Sequence, residues 1–150
     1  MQRSARSLGF CLLLLFGTAS SADTRFTGVF KGSGRACFGG LFIRSKTVEW
    51  NSTWSRCGPT RYRILDDFSA PGQERIAMQL LSHGKACRYE VITIEHSEQW
   101  GWEATGYPTL EWYRTRELPE WKDQASAGRE PLRCPMDRMM GARTELLYRE

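Results

Sequence analysis

The chain has 150 residues, 41% hydrophobic and 25% charged, with a formal net charge of +4. These figures exclude a disordered tail or a collagen and fit one globular domain. Two of the positive charges, Arg3 and Arg6, lie in an acid-free leader; the remainder carries 19 basic against 17 acidic side chains, a surplus that gives no support to nucleic acid as a partner.

Residues 1–22 read as a secretory signal peptide. Arg3 and Arg6 form its basic start, Leu8 to Gly17 its apolar run, and Ser20 and Ala22 suit the small positions before a cleavage site. The run is half the ~20 residues that a membrane-spanning helix needs, so no stable membrane insertion is expected. Cleavage removes Cys11 and leaves Cys37, Cys57, Cys87 and Cys134. An even count in an exported chain predicts two disulfides and a periplasmic or secreted location. Three pairings are possible. The favoured one is Cys37–Cys57, stapling a hairpin, with Cys87–Cys134, tying the tail to the sheet. No two cysteines have zinc-knuckle spacing, and no metal site is expected.

From residue 24 to about 115 the dominant period is two, the mark of strands. Phe26, Gly28 and Phe30 alternate with polar neighbours. Gly32-Ser33-Gly34 makes a turn, and Arg35 to Arg44 a second strand, where Gly39-Gly40 invites a bulge or bend. Thr47 to Asn51 follows, with Val48 and Trp50 on one face. Ser52 to Thr60 reads as a loop ending in Cys57-Gly58-Pro59. Arg61 to Leu65 resumes as a strand, punctuated by Asp66-Asp67 and Ala70-Pro71-Gly72. Glu74 to Leu81 alternates. Ser82 to Lys85 reads as a hairpin turn, and Ala86 to His96 as the strongest strand. Trp102 to Tyr107 and a last strand at Leu110–Thr115 complete about eight.

The tail, 116–150, differs. Pro119 and Gly128 bracket a short helix over Pro119–Ala127. Met136, Met139 and Met140 have helical spacing, continued by Leu146 and Leu147. The expected fold is all-β: a small antiparallel barrel of about eight strands over 23–150 with a short, partly helical C-terminal tail, a sandwich being the alternative.

No catalytic constellation assembles. His83 and His96 are not brought together by spacing. There is no nucleophile elbow, and two disulfides leave no thiolate. Gly32-Ser33-Gly34 lacks the Lys and the helix of a phosphate loop, so no cofactor is expected. Asp66 and Asp67 point to opposite faces of a strand. Asn51-Ser52-Thr53 is a glycosylation sequon. Aromatic residues are the informative set. Trp54 and Trp100 fall in expected loops, and Trp102 follows closely. Arg56, Arg61 and Arg63 lie near Trp54, and together these form a candidate aromatic-cationic patch.

The segment Phe26-Thr27-Gly28-Val29-Phe30 resembles the Gly-x-Trp signature that opens a lipocalin barrel, with Phe30 where Trp is usual. The leader, two disulfides and Trp-rich barrel together resemble small periplasmic proteins such as lysozyme inhibitors. No functional position carries over from either. The expected function is an exported, non-catalytic binding protein that engages a protein partner through barrel-end loops, Ser52–Pro59 and Ser97–Trp102. The alternative is a lipocalin-like carrier of a small apolar or sugar ligand; a hydrolase is a distant third.

Overall fold

Strong two-residue alternation closes into a ring. The computed structural model describes residues 25–117 and 131–140. The leader and the expected helix Pro119–Ala127 lie outside these. Strands β1 (Gly28–Gly32), β2 (Gly39–Ile43), β3 (Thr47–Ser52), β4 (Ser55–Ala70), β5 (Gln73–Leu80), β6 (Val91–Ser97), β7 (Gly101–Tyr107) and β8 (Leu132–Met139) form a closed antiparallel barrel in chain order. The seam joins β1 to β8, with Val29 opposite Met139 and Gly32 opposite Met136. Closure leaves the barrel without an exposed strand edge.

One residue in two points inward and fills the ring. Phe30, Leu41, Val48, Trp50, Ile76, Met78, Ile92 and Ile94 are all wholly buried in one cluster. An eight-stranded barrel is about wide enough for its own side chains, and Trp50 and Phe30 occupy its bulk. Tyr89 closes one mouth: its ring stacks on Trp50 at 5.1 Å. That ring also lies against Gly106, where an added Cβ would sit 2.7 Å from it. Phe26, with no exposed surface, and Trp102 close the other mouth in an edge-to-face pair at 6.4 Å. The Arg138 guanidinium lies over Trp102 and donates to the Thr27 carbonyl at 2.9 Å.

Several local expectations are corrected. Ser52 to Thr60 is not a loop: only Thr53 and Trp54 separate β3 from β4. Pro59 is accommodated because the β3–β4 register slips between Val48 and Trp50, and a bulge is where a strand tolerates proline. Asp66-Asp67 does not end the strand either. β4 runs on for 16 residues, pairing with β3 as far as Arg61 and with β5 from Tyr62. A second slip lies between Ile64 and Asp66. Gly39 forms no bulge; it starts β2 opposite Gly32, and its α-carbon faces the Asn51 carbonyl too closely for a side chain. Residues 81–90 connect β5 to β6, so the strand expected from Ala86 begins at Val91.

The expected last strand, Leu110–Thr115, is a helix, α1 (Leu110–Thr115). Thr109 caps it, its hydroxyl accepting from the Trp112 amide at 3.2 Å, and Tyr113 packs edge-on against Tyr107 outside the barrel. The eighth strand comes instead from the tail. Met136 and Met139 belong to β8, not to a helix.

The disulfides pair differently from the expectation: Cys37 joins Cys134 and Cys57 joins Cys87. In an up-and-down barrel alternate connections fall at alternate ends. The β1–β2, β3–β4, β5–β6 and β7–β8 connections therefore share one pole. Cys37 and Cys87 lie in two of them, and Cys57 and Cys134 lie near the strand starts beside them. Both bridges thus staple the same pole, which we call the disulfide pole. Their presence fits an oxidising, exported environment. No helix among the described residues is long and apolar enough to cross a membrane.

Candidate functional site

At the disulfide pole, the two-residue β3–β4 tip holds Trp54 outward, 63% exposed. The tip is fixed from below. The Ser55 hydroxyl accepts from the Arg88 amide at 2.9 Å, and the Arg56 amide donates to the Ala86 carbonyl. The Thr53 hydroxyl donates to the Arg35 carbonyl at 2.6 Å. Cys57–Cys87 holds the facing loop. Around Trp54 run two adjoining grooves, one of about 500 Å³ lined by Trp54, Lys85, Arg88, Tyr89, Pro108 and Leu132 among others. The second adds Thr53, Ser55 and Arg56. Among the described residues, three cationic side chains and no carboxylate border these grooves. Burial raises the pKa of the Tyr89 phenol at the groove floor, against the pull of the Ser52 hydroxyl, Arg88 and the Ser55 hydroxyl.

The structure separates the residues that the sequence grouped. Trp54 and Arg56 share one groove. Arg61 is exposed further along β4. Arg63 donates to Gln79, whose amide in turn donates to Glu90 at 3.1 Å, so it belongs to an outer-wall network. Trp100 and Trp102 lie at the opposite pole, on and beside the β6–β7 turn. The Ser52–Pro59 and Ser97–Trp102 segments therefore cannot act as one surface. Trp102 is half-buried and plugs the barrel mouth beside His96, 4.7 Å between rings. Lys85 and Arg88 were missed. The signal that points to them is Cys87 between two cations, pinned to Cys57 three residues after Trp54.

Other candidates have structural partners. Asp66 pairs with Arg75 at 2.8 Å and Asp67 with Arg25 at 3.2 Å. Asn51 of the sequon donates to Glu49 at 2.9 Å within β3. His83 lies in the β5–β6 connection and His96 near the far end of β6, at opposite poles. Among the described residues no group of three His, Cys, Asp or Glu is placed to hold a metal ion.

On the outer wall, Glu95 of β6 stands directly opposite Glu103 of β7. Burial raises the pKa of Glu95, and Glu103 raises it further, against Arg75 and Arg133. A carboxyl raised in the folded state holds its proton more tightly there. Stability then falls as pH rises from the unfolded value, ~4.3, through the raised one. Glu95→Gln removes this penalty. Its melting temperature is expected above that of the unsubstituted protein at neutral pH and level with it well below the carboxylate range. Equal melting temperatures at neutral pH would contradict the assignment.

Comparison of the chain with protein-family models, curated proteins and solved structures returned no match.

Proposed function

We propose that the protein is an exported, non-catalytic binding protein that engages an acidic protein partner through the disulfide pole. The observation that carries this reading is Trp54: a large aromatic side chain, 63% exposed, on a short tip braced by a disulfide and ringed by Arg56, Lys85 and Arg88. Exposed aromatic and arginine side chains in a rigid setting are the usual anchors of protein interfaces. Bracing lowers the ordering entropy that association costs. Arg56, Lys85 and Arg88 favour an acidic partner and speed encounter with it. Phe38 in the β1–β2 connection and Leu81 after β5 are also exposed at this pole, 70% and 57%. The filled interior favours a surface ligand over an internal one.

The test is affinity capture from the exported fraction of the protein's own source, using the native chain, Trp54→Ala and Arg56→Glu/Arg88→Glu. A polypeptide of acidic composition should be retained by the native chain, lost with either variant and released by moderate salt. Undiminished capture by both variants would refute the reading.

A further inference from the structure

The outer wall beside the opposite pole carries a second cleft, chemically unlike the first. It measures about 320 Å³ and is lined by Gln73, Glu95, Ser97, Trp100, Glu103 and Arg133, with His96 and Gly101 completing it. That volume is within the ~300–1,000 Å³ range of small-ligand sites. Trp100 stands at its edge, 79% exposed, second only to Met140 among the large apolar side chains of the described residues.

The cleft is held in shape. The Ser97 hydroxyl accepts from the Trp100 amide at 3.0 Å, and Gly101 takes a positive φ of 71° to finish the turn. The Glu98 amide donates to the Gly72 carbonyl at 3.1 Å, tying the β6–β7 turn to the β4–β5 turn. Gln73 is paired with Ser97 across β5 and β6. Glu103 lies 3.7 Å from Arg133, which partly balances the two carboxyls.

We infer that this cleft, where Trp100 borders Gln73, Glu95, Ser97, Glu103 and Arg133, binds a neutral saccharide. An aromatic face offers an apolar platform to the C–H face of a sugar ring. Sugar hydroxyls both donate and accept, and the lining matches that: carboxylates accept, guanidinium donates, and amide and hydroxyl do both. Among the described lining residues two carboxylates stand against one guanidinium, a balance that disfavours acidic sugars. The raised pKa of Glu95 reports a carboxyl partly withdrawn from water, a setting in which a ligand hydroxyl is a useful hydrogen-bond partner. The site is independent of the partner surface, because the two tryptophans occupy opposite poles.

The test is calorimetric titration of the full exported chain with neutral gluco-, manno-, xylo- and chito-oligosaccharides and with an oligouronide. At least one neutral member should bind. Trp100→Ala should weaken it by about tenfold or more, Trp100→Phe should retain most of it, and Gln73→Ala should weaken it without touching the platform. Trp54→Ala should leave it unchanged, which keeps this outcome separate from that of the partner reading. Near-ultraviolet circular dichroism establishes that each variant is folded. No binding of any neutral member at millimolar concentration, equal binding of the oligouronide, or unchanged affinity in a folded Trp100→Ala would each overturn the inference.

Discussion

Replacing Cys37 and Cys134 together by alanine is expected to cost about 4–5 kcal/mol, more than the loss of Cys57–Cys87. The two cysteines are 97 residues apart, against 30 for Cys57 and Cys87. In the chain-entropy account, closing a loop of that length is worth about 4.7 kcal/mol, and a 30-residue loop about 3.6. Position adds to length. Cys37–Cys134 spans the seam at which β1 meets β8, where the two ends of the barrel sequence close on each other. The whole stability of such a domain is ~5–15 kcal/mol, so this variant should lose about a third or more of it. Urea unfolding of the two double variants checks the order. A larger loss on removing Cys57–Cys87 would contradict it.

Trp50→Ala is the second large effect. The residue has no exposed surface, fills the barrel and stacks on Tyr89. Truncating a buried tryptophan costs about 3–5 kcal/mol. The indole Nε1 is buried without a hydrogen-bond partner among the described residues, so truncation also relieves a desolvation cost of ~1–3 kcal/mol. The net loss is therefore expected at the lower end, about 3 kcal/mol. Trp54→Ala, by contrast, should change stability by no more than about 0.5 kcal/mol, because the ring is mostly in solvent. The pair separates a tryptophan that builds the barrel from one free to bind. Similar losses from both substitutions, read by thermal or urea unfolding, would contradict that division.

The barrel was legible in the sequence because its inward residues alternate over long stretches. Ile76-Met78-Leu80 and Ile92-Ile94 need no tertiary information to be read as strands. The misread elements have physical causes. Leu110, Trp112 and the apolar residues before them imitate a period of two over six residues. The signal against it is the capping Thr109 after Pro108 and the Leu110–Tyr113 spacing of a short helix. Gly58-Pro59 and Asp66-Asp67 look like chain breakers, yet both fall at or beside register slips that absorb them. Met136 and Met139 fit a helical period by coincidence of three residues. That they close the barrel is set by pairing with β1 and β7, which is non-local.

The site was half legible. Trp54 stood out as an aromatic residue beside arginines, and it is exposed as expected. Its cationic companions are set by a disulfide whose partner is 30 residues away, and cysteine spacing alone leaves three pairings open. The grouping of Trp54 with Trp100 failed for a topological reason. Hairpin tips alternate between poles, and the β3–β4 and β6–β7 tips fall on opposite ones. Strand parity, counted from a correct list of strands, would have separated them.

The most direct test of the proposed partner surface is native mass spectrometry of the protein purified from its own source, beside Trp54→Ala and a denatured, non-reduced control. The account predicts a second polypeptide on the native chain, its absence from Trp54→Ala, and two intact disulfides in both. A native chain that carries no second polypeptide, or a Trp54→Ala variant that retains it undiminished, would contradict it.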